Sequence, residues 1–275
     1  MIKKIIACGD IHIKNLRRQD EYQTQLTKFI NECREIVKGY NEDEVRIVVA
    51  GDLLHGKIDI SCEAYAMASW FLRQLDCVAK TIVIAGNHDA NLNNLSRLDP
   101  ISLIFSLNRF NRVYYLDKEL DYQSGIVEDD NVMWCLYSAF DNFAAPDINI
   151  SKVEHPDKTY VGLFHGEIIS ASNDAGYTFE KGTRPDVFNN LDFCVMGHIH
   201  KRQCIKIDGV PLVYCGSLIQ QNHGENISGH GYVVWDVETR EYENRDIKNE
   251  EYGYYTLAIS DISELDNNQE DILNL

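Results

Sequence analysis

The sequence predicts an α/β fold with two β layers and helices outside them, a four-layer α/β/β/α sandwich. Three observations predict it. Short apolar runs end repeatedly in Gly followed by a side chain able to coordinate a metal. Two stretches of helical periodicity separate the first three runs, giving the strand–helix–strand alternation of parallel βαβ units. From residue 160 onward the chain turns to closely spaced strands with turn signals, enough for a second sheet.

The elements follow in order. Residues 5–8 form the first strand; the basic start imitates a secretion signal, but so short an apolar run before Gly9 falls below the usual span of about 7–15. Tyr22, Leu26, Phe29, Ile30, Cys33, Ile36 and Val37 make one apolar helix face. Asp20 and Gln23 would open that helix as a capping box, and Gly39 would close it. Residues 45–50 read as a strand, 62–75 as a helix and 81–85 as a strand. Strands are then expected at 112–116, 121–127 and 132–137, the last two joined by a turn at Asp129-Asp130-Asn131. Residues 141–158, with Pro146 and Pro156, read as a loop. Further strands fall at 160–165, 192–196, 203–207, 210–214 and 231–237, with Asp208-Gly209 as a hairpin signal. A last strand is expected at 254–259, before an acidic tail from Asp261.

The chain has 275 residues, 44% hydrophobic and 25% charged, the balance of a soluble globular protein. No apolar run approaches the roughly 20 residues of a membrane-spanning helix. The eight cysteines are scattered without a C-x-x-C pair, which predicts buried free thiols in a cytoplasmic protein rather than a disulfide or zinc framework. A net charge of −17 argues against a general nucleic-acid surface, yet its distribution is uneven. Residues 236–275 hold twelve acidic residues against Arg240, Arg245 and Lys248. Lys14, Arg17, Arg18, Lys57, Arg97, Lys201 and Arg202 follow the motif ends instead, either as phosphate contacts or as solvated loop charge.

The motifs themselves are Gly9-Asp10-Ile11-His12, Gly51-Asp52-Leu53-Leu54-His55, Gly86-Asn87-His88-Asp89, Phe164-His165-Gly166 and Gly197-His198-Ile199-His200. Strand ends of an α/β sheet converge on a crevice, so these side chains can meet. Carboxylate, amide and imidazole donors together suit manganese or iron(II), with magnesium a further candidate. The set exceeds what one tetrahedral zinc uses. Two ions roughly 3.5–4 Å apart would account for it and would support phosphoryl chemistry.

This motif set resembles the calcineurin-like metallophosphoesterase superfamily over roughly residues 3–235. The resemblance implies that Asp10, His12 and His200 hold one metal and Asn87, His165 and His198 the other, with Asp52 bridging. It implies that His88 faces the phosphate and protonates the leaving oxygen. Asp89 would orient a neighbour or cap the following turn. His55, ending G-D-x-x-H, and Tyr214-Cys215-Gly216-Ser217 resemble the SbcD-type and phage recombination nucleases of double-strand-break repair. His55 would either place a duplex end or merely support the loop of Asp52.

That branch implies a manganese-dependent exonuclease and single-strand endonuclease on DNA, working in a bacterial or phage-infected cell. Its partners would be an SbcC-type ABC ATPase or a second copy of the chain. Residues 1–247 would be the nuclease domain and 248–275 the start of an incomplete capping domain, entered at Tyr252-Gly253-Tyr254-Tyr255. Small-molecule or cyclic-nucleotide phosphodiesterases share most of the ligands and remain the alternative. A non-catalytic scaffold is disfavoured because every ligand position is filled. His223 and His230 flank a glycine-rich loop as DNA contacts or as turn polarity.

Overall fold

A computed structural model describes residues 1–94 and 96–255 of the chain. In chain order the elements are β1 (Lys4–Cys8), α1 (Gln19–Val37), β2 (Val45–Ala50), α2 (Cys62–Asp76), β3 (Lys80–Ile84), α3 (Pro100–Leu107), β4 (Val113–Tyr115) and α4 (Leu116–Glu119). There follow β5 (Gly125–Asp129), β6 (Val132–Tyr137), α5 (Ile148–Glu154), β7 (Thr159–His165), β8 (Phe193–Gly197), β9 (Gln203–Ile207), β10 (Val210–Tyr214), β11 (Gly231–Asp236) and β12 (Tyr242–Asp246). They form two six-stranded sheets, β12-β11-β1-β2-β3-β4 and β5-β6-β7-β8-β10-β9. β1 to β4 are parallel, as the βαβαβ layout predicts, and β11 and β12 extend that sheet in antiparallel pairing. In the second sheet β6, β7, β8 and β10 are parallel.

Period-two alternation builds the layers. Ile5, Ala7, Val48, Ala50, Ile82 and Ile84 of the first sheet face Trp134, Leu136, Val161, Leu163, Phe193 and Val195 of the second. Phe193 and Trp235 stack across that interface with ring centroids 4.2 Å apart. The opposite faces of β1 to β3 pack on α1 and α2 through Phe29, Cys33, Phe71 and Leu72. Tyr160, Phe164, Cys194 and Met196 pack outward against Ile148 of α5 and Phe188. The predicted sandwich is therefore present, with a thin fourth layer.

Several local expectations are corrected. α1 starts at Gln19 behind Arg18, whose φ is 57°, and no side chain caps it. Asp20 thus sits inside the first turn, where a negative charge suits the helix dipole. Residues 121–124 are not strand: Asp121 and Tyr122 turn with φ of 52° and 60°, and β5 begins at Gly125. The stretch expected as a loop contains α5. α3 and β12 were not expected. The Asp208-Gly209 hairpin forms as expected, joining β9 to β10 with both residues at positive φ. All eight cysteines are free, although Cys62 and Cys77 are exposed rather than buried. No helix among the described residues is long and apolar enough to cross a membrane. The strand expected at 254–259 and the acidic tail lie largely outside the described residues.

Arg46, on the inter-sheet face of β2, makes a bidentate contact with Asp129 at the end of β5, at 2.8 and 3.0 Å. Lys80 of β3 reaches the same carboxylate at 3.0 Å. Burial alone would raise the Asp129 carboxyl, but the two cations outweigh it and hold it at about 2. Removing one partner of a buried pair leaves the other charge uncompensated, at a cost of about 3–5 kcal/mol. Asp129→Ala is therefore expected to lower stability by about that amount in urea unfolding at pH 7. A depressed carboxyl contributes stability above its unfolded value near ~3.9 and loses it as pH falls through about 2. The gap between wild type and Asp129→Asn should accordingly shrink from pH 5 to pH 2. A gap independent of pH would show that the ion pair contributes nothing.

Candidate metal centre

Five strand ends deliver the expected ligands to one edge of the sandwich. β1 runs into Asp10 and His12, β2 into Asp52, and β3 into Asn87 and His88. The second sheet supplies His165 as the last residue of β7 and His198 directly after β8. Backbone hydrogen bonds join the first two loops: Asp10 N donates to Gly51 O (3.1 Å), His12 N to Asp52 O (2.9 Å) and His55 N to Ile13 O (3.1 Å). Asp10, His12, Asp52 and His198 all adopt positive φ, at 50°, 50°, 51° and 94°. Side-chain-bearing residues rarely take that conformation, and it persists only where the surroundings enforce it.

Two glycines make room for the cluster. A Cβ on Gly197 would lie 2.1 Å from Ala50 O and 2.6 Å from His165 Nδ1. One on Gly86 would lie 2.1 Å from Asp52 Oδ1. Both distances are far inside van der Waals contact, so these positions bring the two sheets and the β2 and β3 loops closer than any side chain permits.

The hydrogen-bond pattern tests whether the residues fit a metal. His165 is buried, and its Nδ1 lies 2.7 Å from Ala50 O. A carbonyl only accepts, so Nδ1 carries a proton, and once Nε2 releases its own the ring presents a lone pair there. That Nε2 is 3.2 Å from Asp52 Oδ2 and yet has no hydrogen-bond partner. Buried polar atoms are seldom left unsatisfied, and a cation between imidazole and carboxylate satisfies both. His12 Nε2 lies 3.0 Å from His200 Nε2 and 3.4 Å from Asp52 Oδ2. His198 Nδ1 lies 2.8 Å from Asn87 Oδ1.

Ligand atoms of Asp10, His12 and His200 fall within 4.8 Å of one another, as do those of Asp52, His165 and His198. All seven expected ligands are thus brought together, and the donor set fits two divalent ions with Asp52 between them.

Burial raises the Asp10 carboxyl to about 6, helped by Asp52 and opposed by His165 and His200. Burial pushes Asp52 the same way, but His165, His12 and the His88 backbone N–H outweigh it and keep this carboxylate ionised. Burial lowers His165, yet Asp52 and Asp10 carry it up to about 10. Burial, with His165 next to it, lowers His198 to about 4.

The remaining expected residues separate into two groups. His88 and His55 stand outside the two ligand groups but form a third donor cluster with His12, and all three line a cavity of about 420 Å³ together with Lys14 and His200. Asp89 is fully buried and accepts from Leu53 N (3.1 Å), Leu54 N (2.9 Å) and Gly86 N (3.1 Å), so it both orients the Asp52 loop and closes its own turn. Elsewhere two of the four arginines expected at phosphate are occupied. Arg18 pairs with Glu21, and Arg202 donates to Arg245 O and pairs with Asp246. His230 is buried between Ser217 Oγ (2.9 Å) and Asn226 O (2.6 Å), which makes it turn polarity rather than a DNA contact. Sequence reasoning missed Glu225, Gln221 and Glu167 beside the cluster. Single polar residues in loops have no period or motif to announce them.

Two β layers with ligand-bearing loops at one edge define a metal-dependent phosphoester site, and comparison with known proteins agrees. The calcineurin-like phosphoesterase family matches residues 3–202, and the chain belongs to it. An uncharacterised protein, R555, of Acanthamoeba polyphaga mimivirus is 32% identical over 268 residues. That alignment covers 94% of this chain, which spans only 19% of the viral protein. Among solved structures, an archaeal phosphodiesterase aligns over 87% of this chain and 97% of its own, at 14% identity and a TM-score of 0.41. A putative 5'-nucleotidase from Staphylococcus aureus aligns over 98% of this chain and 58% of its own, at 15% identity and a TM-score of 0.48. Likenesses this distant speak to neither substrate nor partner.

Calorimetric titration with manganese is expected to give two ions per chain, and Asp52→Asn should abolish tight binding of both. Affinity should fall on acidification, because imidazoles must be neutral to ligate and His165 holds its proton well above neutrality in the metal-free protein. One tight ion in wild type, or two undisturbed ions in Asp52→Asn, would contradict the shared carboxylate.

Proposed function

We propose that this chain is a two-manganese phosphodiesterase that cleaves DNA, digesting duplex ends and cutting single strands. The observation that carries the reading is the pair of imidazoles on the open side of the ligand cluster. His55 is exposed and stacks on the half-buried His88 with ring centroids 5.0 Å apart and planes 21° from parallel. A substrate that continues beyond its scissile phosphate would pass this second ring.

When bound, divalent ions at the seven ligands supply positive charge to the phosphoryl group and acidify water for attack. The side chains do the rest. His88 N donates to Asp52 Oδ1 at 2.7 Å, which fixes the acid relative to the shared carboxylate. Its Nδ1 lies 2.8 Å from His55 O, so Nδ1 carries one proton and only the doubly protonated ring, with a second proton on Nε2, can protonate the leaving oxygen. Burial, with His88 and Lys14 adding to it, lowers His55, which therefore stands neutral beside the acid at pH 7.

One finding favours a small phosphodiester instead. Arg18 and Arg202 are spent on internal partners, and a cavity of about 420 Å³ suits a nucleotide-sized ligand. With a net charge of −17, DNA affinity should be weak and its salt dependence shallow. The missing grip would come from a second copy of the chain or from an SbcC-type ABC ATPase. Labelled single- and double-stranded DNA and a cyclic nucleotide, each with manganese, magnesium or chelator, separate the readings. Hydrolysis of the cyclic nucleotide without cleavage of DNA would replace the nuclease reading.

His88→Ala is expected to keep both ions and lower cleavage by about 10²-fold or more, the scale of a lost acid or charge stabiliser. His55→Ser should impair duplex-end digestion more than single-strand cleavage, since only an end must be held in place. Equal losses on both substrates, together with loss of metal, would reduce His55 to a support for the Asp52 loop.

A further inference from the structure

We propose that Glu225 is a positioning residue for one of the two ions, the one assigned to Asp10, His12 and His200, and that it leaves the other untouched. The inference rests on the two-ion reading of the site. Glu225 lies in the loop after β10, and its side chain is only 7% exposed. Oε1 lies 2.7 Å from His200 Nδ1 and accepts from Asn222 Nδ2 at 2.6 Å, while Oε2 accepts from Gln221 N at 2.7 Å. Among the described residues the only ion-pair partner it has is His200. A buried carboxylate without Lys or Arg is not ordinary surface pairing.

The contact has a chemical consequence. A carboxylate at Nδ1 keeps the imidazole proton there, presents Nε2 as a lone pair and makes that nitrogen a better donor to a metal. His200 Nε2 is the atom that meets His12 Nε2 at 3.0 Å. The same loop grips the other side of this ligand group, because Gln221 Nε2 donates to Ile11 O at 3.0 Å, between Asp10 and His12. In the second group His165 Nδ1 is oriented by a backbone carbonyl, that of Ala50, and no buried carboxylate among the described residues does this for His198. The nearest counterpart, Glu167, stands 3.6 Å from His198 with a side chain 44% exposed. The loop therefore clamps Asp10, His12 and His200 and makes no hydrogen bond to Asn87, His165 or His198 among the described residues.

Manganese titration of the full chain, followed by calorimetry, resolves the two ions. Glu225→Ala is expected to weaken one by about 10–100-fold, the usual loss when such an orienting partner is removed, and to change the other less than twofold. Glu225→Gln keeps an acceptor for His200 Nδ1 and should recover part of the loss. Asn226→Ala, which removes only the loop's side-chain contact with Asp174, should leave both affinities near wild type. Nitrogen NMR of the metal-free protein should show the His200 Nδ1–H tautomer in wild type and its loss in Glu225→Ala. Equal weakening of both ions in Glu225→Gln and Glu225→Ala, with a matching fall in the thermal midpoint, would mean a merely structural loop and overturn the proposal. Unchanged affinities would overturn it as well. A wild-type chain that binds no pair of ions would defeat the two-ion reading itself, which is a different result from either.

Discussion

The rest of the structure depends on one hydrogen bond between the sheets, from His165 Nδ1 to the carbonyl of Ala50. Ala50 ends β2 and His165 ends β7, so the bond closes the sandwich where its two β layers deliver their ligands. It does three things together. It brings the sheets close enough that Gly197 can have no Cβ, it fixes which imidazole nitrogen is free, and it aims that nitrogen at Asp52. Ligands from one sheet alone would be an incomplete set. A ligand set drawn from both sheets requires that the layers meet at this point, and they do.

Much of this was legible in the residues, for definite physical reasons. Strands that end in a donor side chain beside a Gly leave a local signature, so Asp10, Asp52, Asn87, His165 and His198 could be placed before any geometry was known. The apolar runs along residues 45–50 and 160–165 marked buried strands, and both strands are buried. The Asp208-Gly209 turn was legible because a two-residue hairpin needs positive φ at both positions. Elements that depend on distant partners were not. β12 has an exposed, charged sequence and exists because β11 offers it an edge. α3 did carry local signals, Asp99 as its cap and Pro100 in its first turn, but eight residues are too few for a periodic pattern to stand out. β5 was misplaced because Ser124 and Asp141 hold a turn whose partner lies 17 residues away.

The charges show how far sequence position can mislead. Arg18 and Arg202 both follow a ligand motif, which suggested contact with phosphate. Each turns away toward carboxylates and carbonyls that folding supplies, Glu21 in one case and Asp246 with Arg245 O in the other. Lys14 stays at the crevice, though it too donates to Gln221 O at 2.9 Å. A cation's place along the chain says where it starts; the nearest unsatisfied acceptor decides where it ends.

The Arg46–Asp129 pair acquires a further meaning from its location. Arg46 is four residues before Ala50 on the same strand, a separation of roughly 13 Å at strand rise. The two β layers are therefore fastened twice along β2, by an ion pair near its start and by the His165 bond at its end. One fastening would leave the layers free to pivot about it, as two boards do on a single nail. Two fastenings on a line suppress that swivel, and the gap between ligands from opposite layers becomes a fixed property of the scaffold. A side chain far from any phosphate thus helps to set the spacing at which chemistry would occur.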